Sequence, residues 1–364
     1  MAALVLNGCG AIGRSVVRTM LMRSRLGGHE TRDLRLINDP AFRNPKQLLE
    51  HIILGANDRH ERVILRERLT AEDSCLRWDP HSVSVPIEVT GYKDPRELAN
   101  RYRIMTELDS PLIVLDCSRF AAEDPNFVRA HLEAGATRVV ISAPARESDI
   151  TVVYGVNENE LTPGHRIISA ASCTTNCLAL PLSVVSRHFG IRNGFAITVH
   201  AATSEQAVYD VASGEPTKGR SLFGVTPWPT GAAKLVGKML GIEKFDGFAL
   251  RIPLANGSIA VAILNTDSQI DTKQLRAAFR NAATDSLKGI MNYSTQPLTH
   301  RDVLIDHSDV ASVVDERLTG VLGGFTVVTA WYDNIDGYVA NLVNLIEAVA
   351  RLGAARSARA TATI

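Results

Sequence analysis

The chain has 364 residues, which is long for one domain and suits two. Hydrophobic residues make up 45% of it and charged residues 21%, a composition that excludes disorder as the dominant state. Its 39 basic residues balance 39 acidic ones, so we expect no broad nucleic-acid-binding surface.

The number of cysteines and the length of the apolar runs indicate the cellular compartment in which the protein is expected. Five cysteines are few and odd in number, which argues against a disulfide framework and favours the reducing cytoplasm. No apolar run approaches the roughly 18 residues that a membrane span requires, so no membrane partner is expected. The short run Ala2–Leu6 is broken by Gly8, Cys9 and Gly10, and we interpret it as a strand and not as a signal peptide.

The first elements predict a dinucleotide-binding unit. A buried-strand pattern over Ala3–Asn7 leads into the turn Gly8–Gly13, which has the form G-x-G-x-x-G and precedes apolar residues at helical spacing. A second strand pattern, Leu34–Ile37, ends just before Asp39, whose carboxylate can accept hydrogen bonds from ribose hydroxyls and would repel a 2′-phosphate. The alternative is a glycine turn without a ligand, but the strand, helix and acidic residue around it favour NAD as cofactor.

More strands and helices follow in alternation, which predicts a mostly parallel sheet. A helix is expected over Asn126–Ala134, with Gly135 at its end. The charged stretch from His51 to Arg103 is expected to form peripheral strands and loops. The remaining strand patterns of this half are Leu112–Leu115, Arg138–Ser142 and Ile150–Val156.

The character of the chain changes after Ser172, where longer strand patterns predict a second sheet. Between them lies a Gly/Pro-rich surface loop, Ser213–Pro229, and helical periodicity returns over Tyr338–Leu352. The predicted strands are Gly194–Val199, Phe248–Ile252, Ser258–Asn265 and Gly324–Trp331.

A cysteine and a histidine in this half are candidates for nucleophilic catalysis. Cys173 comes just before the apolar helical run Leu178–Val185, so it is expected in the first turn of a helix, where the macrodipole lowers a thiol pKa. The alternatives are a buried structural cysteine or a metal pair with Cys177; no second Cys/His pair stands at ligand spacing, so no metal is predicted. His200 ends the strand pattern Phe195–Val199, where an imidazole can pair with a thiolate or simply lie at the surface.

Six segments together resemble the phosphorylating glyceraldehyde-3-phosphate dehydrogenases. The most specific is A-S-C-T-T-N-C at Ala171–Cys177, and the likeness extends in order over nearly the whole chain. The other five are Asn7–Arg14, Asn38–Asp39, Ser142–Ala145, Thr230–Lys234 and Trp331–Asn334. The resemblance implies an α/β fold with a Rossmann-type NAD-binding domain at residues 1–172. It further implies an α+β catalytic domain with a mostly antiparallel sheet at 173–334, and a C-terminal helix at 335–364 that returns to the first domain.

The resemblance also implies the reaction and the residues that carry it out. Cys173 would attack the aldehyde of glyceraldehyde 3-phosphate, His200 would act as the base, hydride would pass to NAD, and inorganic phosphate would release an acyl phosphate from the thioester. The family is typically a homotetramer, in which the loop Ser213–Pro229 reaches the cofactor of a neighbouring subunit. Residues implied beside the cofactor are Asn7, Gly8, Gly10, Ala11, Ile12, Gly13, Asp39, Lys93, Ser142 and Asn334. Residues implied beside inorganic phosphate are Ser172, Thr174, Thr230 and Gly231, and those beside the substrate's own phosphate are Thr203 and Arg251.

Some positions depart from the family pattern. Ala11 stands where the family usually has arginine, and Cys117-Ser118-Arg119 replaces its Ser-Thr-Gly turn. Glu205 places a carboxylate where a threonine would help to hold the substrate phosphate, so one hypothesis is a different aldehyde, such as erythrose 4-phosphate. The alternative is that Glu205 points away and pairs with an arginine. A non-catalytic binding or regulatory homologue is a further alternative, which the retention of Cys173 and His200 disfavours.

Overall fold

A computed structural model of the chain describes residues 2–25, 34–42, 44–56, 58–79, 85–106, 111–203, 205–213, 217 and 219–360. The chain divides into two compact units. The first unit consists of Met1–Tyr154, Glu158–Ala171 and Leu342–Ile364, and the second of Gly155–Asn157 and Ser172–Asn341.

The strands of the first unit form a mostly parallel sheet. Within its described residues they are β1 (Ala3–Asn7), β2 (Leu34–Asn38), β3 (Leu69–Ala71), β4 (Cys75–Trp78), β5 (Val85–Thr90), β6 (Leu112–Asp116), β7 (Arg138–Ile141), β8 (Ile150–Thr151) and β9 (Ile167–Ser169). Their order is β3-β4-β5-β2-β1-β6-β7-β9-β8, and only the pairs β3–β4 and β4–β5 are antiparallel. Every residue of β1 and β6 is buried, as expected for parallel strands covered on both faces. The predicted mostly parallel sheet of a Rossmann-type domain is confirmed.

The helices described in this unit are α1 (Ala11–Arg25), α2 (Pro45–Leu54), α3 (Arg59–Arg68), α4 (Ala99–Thr106), α5 (Arg119–Glu123) and α6 (Pro125–Glu133), with 3₁₀ turns at Pro95–Leu98 and Glu158–Glu160. Three of these helices, α2, α3 and α6, begin at polar residues whose side chains accept hydrogen bonds from the first turn. The carboxylate of Asp124 accepts a hydrogen bond from the Asn126 N–H at the start of α6, and Pro125 occupies its first position. Gly135, with φ of 114°, follows this helix, close to the predicted end.

Two sequence-based expectations for the first unit need correction. The stretch from His51 to Arg103 does contain the expected peripheral strands, β3–β5 at the sheet edge, but it also contains helix that was not expected, including α3, which Asp58 caps and which buries only a narrow apolar stripe. The strand expected over Ile150–Val156 ends at Thr151. Gly155, with φ of 91°, lies in a turn four residues further on, so the extended run cannot reach Val156.

The second unit is built on a mostly antiparallel sheet. Its described strands are β10 (Asn193–Ala201), β11 (Thr226–Pro229), β12 (Lys244–Ile252), β13 (Ser258–Asn265), β14 (Met291–Ser294), β15 (Ser312–Asp315), β16 (Gly320–Leu322) and β17 (Phe325–Tyr332). Their order is β11-β12-β10-β13-β17-β15-β14 with β16 beside β17, and only β10–β12 and β14–β15 are parallel pairs. Burial alternates along β13, which is typical of a sheet with one covered face. The α+β prediction is confirmed, although β11 lies inside the predicted loop Ser213–Pro229, of which 214–216 and 218 are outside the described residues.

The helices of the second unit include the one that carries the candidate nucleophile. Their bounds are α7 (Cys173–Phe189), α8 (Ala232–Leu240), α9 (Thr272–Thr284) and α10 (His300–Asp306), with a 3₁₀ turn at Glu316–Leu318. The last helix, α11 (Asp336–Ala360), begins in the second unit, and from Leu342 onward its residues belong to the first. None of the helices in the described part of the chain combines the length and apolar character needed to span a bilayer.

Candidate active site

Cys173 is the first residue of α7, as the sequence predicts. Ser172 is the N-cap: its Oγ accepts a hydrogen bond of 3.1 Å from the Thr175 N–H and lies 2.8 Å from Thr175 Oγ1. Ala171, just before this cap, has φ of 56°, the single positive φ among the described non-glycine residues. Strained backbone of this kind concentrates at functional sites.

The structure brings Cys173 and His200 together. Cys173 Sγ and His200 Nε2 are 3.4 Å apart, although the two residues come from α7 and β10. The imidazole is buried, and its other nitrogen, Nδ1, is 2.7 Å from the backbone oxygen of Ala201. A thiol and an imidazole within hydrogen-bonding distance form the arrangement needed for a nucleophile and its base.

Burial holds both groups in their neutral forms. It raises the pKa of the Cys173 thiol, and the hydrogen bonds from Thr174 and the charge of Arg251 lower that pKa by less. The backbone N–H groups at the helix start do lower the thiol pKa, as predicted, but burial outweighs them and the net direction is upward. Burial, with the nearby Arg251 charge, lowers the pKa of His200 to about 4. The resting pair is a thiol beside a neutral imidazole.

Arg251 lies beside His200 because of strand register. β10 and β12 run parallel, and Arg251 stands directly opposite His200 in their pairing. Its Nη1 is 2.5 Å from His200 Nδ1 and 3.4 Å from the backbone oxygen of Ala201. Its guanidinium carbon lies 5.8 Å from the ring centre of Trp228. The predicted substrate-phosphate residue therefore contacts the predicted base.

Three buried polar atoms near this pair have no hydrogen-bond partner: Thr203 Oγ1, Gln206 Nε2 and Arg251 Nε. Thr203 and Gln206 form one tight turn, in which the Gln206 N–H donates to the Thr203 oxygen and the Thr203 N–H donates to Gln206 Oε1. Unpaired buried polar groups are costly, so these atoms are candidates to bind a polar ligand. From the sequence, Thr203 and Arg251 are assigned to this role, but Gln206 is not. Gln206 lies three residues after Thr203 in the same polar run, and this position could have identified it from the sequence.

Tyr332 is a second residue that the sequence analysis left without a role. Its fully buried hydroxyl lies 2.9 Å from Thr174 Oγ1 and 2.8 Å from Thr198 Oγ1. Its ring meets the His200 ring edge-on at 5.9 Å between centres. Tyr332 therefore fixes the start of α7 and one face of the imidazole. The Thr174 hydroxyl, predicted to contact inorganic phosphate, already has this protein partner.

The other residues implied to contact inorganic phosphate lie at two helix starts. Ser172 caps α7, and Thr230 Oγ1 accepts a hydrogen bond of 3.2 Å from the Ala232 N–H at the start of α8. Gly231 is the N-cap residue of α8 and is exposed, with no atom within 4 Å of where a Cβ would lie. Helix N-termini present free N–H groups, which suit an anion.

In the first unit, the glycine turn has the geometry of a dinucleotide cradle. Gly8 has φ of 86°, and a Cβ there would lie 2.7 Å from the Ser118 nitrogen. A Cβ on Gly13 would lie 2.1 Å from the Gly8 oxygen, whereas one on Gly10 would meet nothing within 4 Å. Gly8 and Gly13 are therefore required by packing, and Gly10 leaves open space in front of α1, where Ala11 and Ile12 begin the helix. This open cradle fits a pyrophosphate.

Asp39 lies at the end of β2 beside this turn. Its Oδ2 accepts a hydrogen bond of 2.6 Å from the Cys9 N–H, and its Oδ1 accepts one of 2.8 Å from the Ala41 N–H. The carboxylate is thus held next to the glycine turn, as ribose recognition requires. Lys93 follows β5 and is exposed. Ser142 follows β7, and its N–H donates a hydrogen bond to the backbone oxygen of Asp116.

Asn7 belongs to a buried polar network behind the turn. Its Nδ2 donates to Asp116 Oδ2 at 2.9 Å, and its Oδ1 accepts from Asn38 Nδ2 at 2.8 Å. Asp116 Oδ2 is also 3.1 Å from His131 Nε2, whose Nδ1 is 2.9 Å from the Tyr102 hydroxyl. The Asn7 side chain thus ties β1 to its neighbouring strands.

Asn334 follows β17 in the second unit. Its Oδ1 accepts hydrogen bonds from the Gly257 N–H at 3.0 Å and from Ser258 Oγ at 3.2 Å. These contacts orient the amide and leave Nδ2 as its donor toward a ligand.

Among the residues that the structure describes, the other cysteines and the carboxylates do not form a competing centre. All five cysteines are free, and burial raises the pKa of the Cys117 thiol to about 12. Within the described ranges, no group of three or more His, Cys, Asp or Glu side chains is arranged to hold a metal ion. Glu205, in the turn between Thr203 and Gln206, is exposed.

Comparisons with known proteins agree over the length of the chain. Residues 172–334 match the family model described as the C-terminal domain of glyceraldehyde 3-phosphate dehydrogenase. The chain is 35% identical to the glyceraldehyde-3-phosphate dehydrogenase of Geobacillus stearothermophilus over 96% of this chain and 98% of that protein. It is 32% identical to the enzyme of the same name from Mycobacterium leprae, with 95% and 98% covered. It is 34% identical to glyceraldehyde-3-phosphate dehydrogenase 1 of Bacillus subtilis, with 96% and 98% covered.

Proposed function

This chain belongs to the glyceraldehyde-3-phosphate dehydrogenase family, and on that premise we propose that it oxidises glyceraldehyde 3-phosphate with NAD and inorganic phosphate to an acyl phosphate. The observation that carries the proposal is the 3.4 Å approach of Cys173 Sγ to His200 Nε2 at the start of α7.

Cys173 and His200 perform the covalent steps. Cys173 Sγ bonds to the aldehyde carbon, and the carbonyl oxygen becomes the hydroxyl of a thiohemiacetal. His200 Nε2 then takes the hydroxyl proton while hydride leaves the same carbon, which yields a thioester on Cys173. An oxygen of inorganic phosphate attacks that carbon, the C–S bond breaks, and the acyl phosphate departs. Covalent capture divides one difficult oxidation into two easier steps.

Thr203 and Arg251 bind the phosphate of the substrate. Thr203 Oγ1 and Arg251 Nε are buried donors without partners, and an anionic phosphate would satisfy both. Ser172, Thr174, Thr230 and Gly231 bind the attacking inorganic phosphate, a role supported by the helix starts at which they lie.

We propose that the residues around the glycine turn of the first unit would hold NAD, which supplies the hydride acceptor when it is bound. Gly10, Ala11 and Ile12 would contact its pyrophosphate through backbone N–H groups, and Asp39 would accept hydrogen bonds from its ribose. Asn334, in the second unit, has the amide donor Nδ2 that the family resemblance assigns to the nicotinamide. The other residues proposed at this site are Asn7, Gly8, Gly13, Lys93 and Ser142.

We also propose which part of the chain performs each role and how the subunits assemble. Residues 1–172 hold the cofactor, residues 173–334 carry out catalysis, and residues 335–364 form the returning C-terminal helix. The protein is a cytoplasmic homotetramer without nucleic-acid or membrane partners. Tetramer formation is supported by exposed apolar side chains on the loop before β11, which would be covered by another subunit. They are Val208, Tyr209, Val211, Phe223 and Val225.

A second candidate is the same chemistry on a different aldehyde, such as erythrose 4-phosphate. The observation that favours it is Glu205, which adds a negative charge to the turn that holds Thr203 and Gln206. A carboxylate near the substrate phosphate weakens its binding.

The test is NADH formation with an aldehyde panel. Purified protein with NAD is given glyceraldehyde 3-phosphate, erythrose 4-phosphate or unphosphorylated glyceraldehyde, each with phosphate, arsenate or neither. We expect sustained NADH production with glyceraldehyde 3-phosphate only when phosphate or arsenate is present, and none from Cys173→Ser. Cys75→Ser, which changes a partly exposed cysteine in β4, is the matched control and should retain activity. If no aldehyde yields NADH although NAD binds, the proposed function is wrong and the non-catalytic alternative is favoured.

A further inference from the structure

Four neighbouring parallel strands of the first unit each end at a polar residue. β5 ends at Thr90, β2 at Asn38, β1 at Asn7 and β6 at Asp116. Strand pairing places Thr90 opposite Asn38 and Asn7 opposite both Asn38 and Asp116. These four residues, the strand-end row, therefore form one line across the sheet at the edge where the glycine turn and Asp39 lie.

Hydrogen bonds join the side chains of the strand-end row from one end to the other. Thr90 Oγ1 donates to Asn38 Oδ1 at 2.9 Å, and Asn38 Nδ2 donates to Asn7 Oδ1 at 2.8 Å. Asn7 Nδ2 then donates to Asp116 Oδ2 at 2.9 Å. Because both ends of the buried Asn7 amide bond to protein groups, this side chain acts on the cofactor site through the backbone that it holds.

Asp116 is the acceptor on which the direction of these bonds depends. Its Oδ2 also lies 3.1 Å from His131 Nε2, and its Oδ1 accepts a hydrogen bond of 2.8 Å from the Ser118 N–H. Burial raises the pKa of Tyr102, whose hydroxyl lies 2.9 Å from His131 Nδ1 and can donate to it, which leaves the ring proton on Nε2 toward Asp116. Only a carboxylate can accept at both oxygens from these three donors.

The backbone directly after the strand-end row forms part of the candidate NAD site. The Gly8 N–H donates to the backbone oxygen of Asn38 at 2.9 Å, and the Asp39 N–H donates to that of Thr90 at 2.9 Å. Gly8 begins the glycine turn, and Asp39 is the residue proposed to bind the ribose. The positions of both are therefore set where the strands of the row end.

Asp116 holds the glycine turn from two sides. Its Oδ2 binds the side chain of Asn7, the residue before Gly8, and its Oδ1 binds the Ser118 N–H. A Cβ on Gly8 would lie only 2.7 Å from that Ser118 nitrogen, so the two backbone segments are in close contact. Since packed segments of this kind transmit displacements, a change at Asp116 should move the turn.

We propose that Asp116 is a positioning residue for NAD. Its fully buried carboxylate fixes the glycine turn through Asn7 and Ser118, and the strand-end row extends this hold to the segment that carries Asp39. The inference rests on the proposed function and deepens it, because it assigns part of the NAD affinity to a residue behind the cofactor contacts.

The first test compares the NAD affinity of Asp116→Asn with that of the wild type by isothermal titration calorimetry. The new amide presents N–H groups to donors that the carboxylate accepts, so the turn loses its support on one side. We expect the Kd for NAD to rise by about tenfold, the effect of one lost hydrogen bond to a charged group. At saturating NAD, the KM for glyceraldehyde 3-phosphate should not change. An unchanged Kd overturns the proposal.

The second test exchanges the donor and the acceptor in the double variant Asn7→Asp with Asp116→Asn. The amide at position 116 can donate to the carboxylate at position 7, which still accepts from Asn38 Nδ2. The amide oxygen still accepts from the Ser118 N–H, and His131 can adopt its other tautomer. Shape and net charge are those of the wild type, so the NAD affinity should return to near the wild-type value. A Kd that stays at the level of Asp116→Asn contradicts the proposal.

Two further variants decide the matter if Asp116→Asn does not fold. Thr90→Val removes the bond at the far end of the row with little change of shape and should raise the Kd for NAD by about threefold. Ser24→Ala, near the end of α1 away from the turn, is the matched control, because it removes the acceptor 3.0 Å from the buried Trp78 Nε1. It should lower the unfolding temperature and leave the Kd unchanged. Equal effects of Thr90→Val and Ser24→Ala on the Kd would refute the positioning role.

The outcomes also separate this inference from the proposed function. If the wild type binds NAD and the row variants bind it equally well, only the positioning role of Asp116 is wrong. If the wild type binds NAD but oxidises no aldehyde, the proposed activity fails, and the measured affinities still decide the role of Asp116. If the wild type does not bind NAD, both proposals are overturned.

Discussion

At the scale of single residues, burial rather than the helix terminus decides the resting state of the catalytic pair. Cys173 begins α7, yet the surrounding protein raises its pKa and lowers that of His200 to about 4. A buried ion pair would be costly without further partners, so both pKa shifts favour the neutral pair.

The depressed pKa of His200 predicts a pH dependence of stability. Because the folded pKa of about 4 lies below the usual 6.5, the unfolded chain binds the proton more readily. The corresponding stability is complete above pH 6.5 and is lost as pH falls toward 4, by roughly 3 kcal/mol in all. Urea unfolding of wild type and His200→Asn between pH 7 and 4 should show this difference.

The comparison with His200→Asn is needed because another group opposes the trend. Burial and Asp336 raise the pKa of Asp333 to about 6, so the folded protein binds that proton more readily and gains stability as pH falls through 6. Asp333 contributes equally to both proteins and cancels in the difference. A difference that does not vary with pH would contradict the depressed pKa of His200.

Glu205 is the residue on which substrate choice depends. If its carboxylate opposes the substrate phosphate, Glu205→Thr should raise kcat/KM for glyceraldehyde 3-phosphate by about tenfold, because removing a like charge near a phosphate is worth a few kcal/mol at most. Steady-state kinetics with both sugar phosphates measure the effect. Unphosphorylated glyceraldehyde serves as the internal control and should not change. An unchanged kcat/KM would mean that Glu205 points to solvent and that the altered-substrate candidate has no support.

At the scale of elements, two glycines of the turn have different roles: Gly13 is needed for packing and Gly10 for cofactor binding. Gly13→Ala would place a methyl group 2.1 Å from the Gly8 oxygen and should destabilise the first unit by about 1–3 kcal/mol. Gly10→Ala meets nothing within 4 Å and should leave stability unchanged, but it should weaken NAD binding because the backbone no longer approaches the pyrophosphate freely.

Chemical unfolding and NAD titration distinguish the two glycine variants. Gly10→Ala is the informative one, because its folded state should match the wild type. Unchanged NAD affinity in this variant would contradict the assignment of the turn to the cofactor.

At the scale of the whole molecule, we expect a homotetramer that depends on the loop before β11. Tyr209 and Phe223 are 73% and 65% exposed, and their rings lie 6.2 Å apart. Sedimentation velocity should give four times the chain mass, and Tyr209→Asp should shift the protein toward smaller species without changing the secondary structure. Leu322→Asp, at an equally exposed apolar residue in β16, is the control and should not dissociate the assembly. A monomeric wild type, or equal effects of both variants, would contradict the proposed interface.

Local sequence patterns were sufficient to predict an element where the contacts that determine its bounds are close in sequence. The strands Ala3–Asn7 and Ser258–Asn265 have the predicted bounds, and the Ser172 cap places Cys173 in the first turn of α7. Prediction was poorer for α3, because its short apolar stripe is surrounded by charged residues and resembles a loop in composition. It was also poorer for β8, which ends at Thr151, before the turn at Gly155.

By itself the sequence determined the two sheets, the glycine turn with Asp39, and the identity of Cys173 and His200 as candidates, since these depend on periodicity, capping and short motifs. Only the tertiary structure decided that His200 and Arg251 face each other, because that contact follows from the register of β10 and β12. It also decided that Gln206 and Tyr332 belong to the site and that burial reverses the expected pKa of Cys173. Desolvation and strand pairing join residues far apart in the chain, and no local pattern contains them.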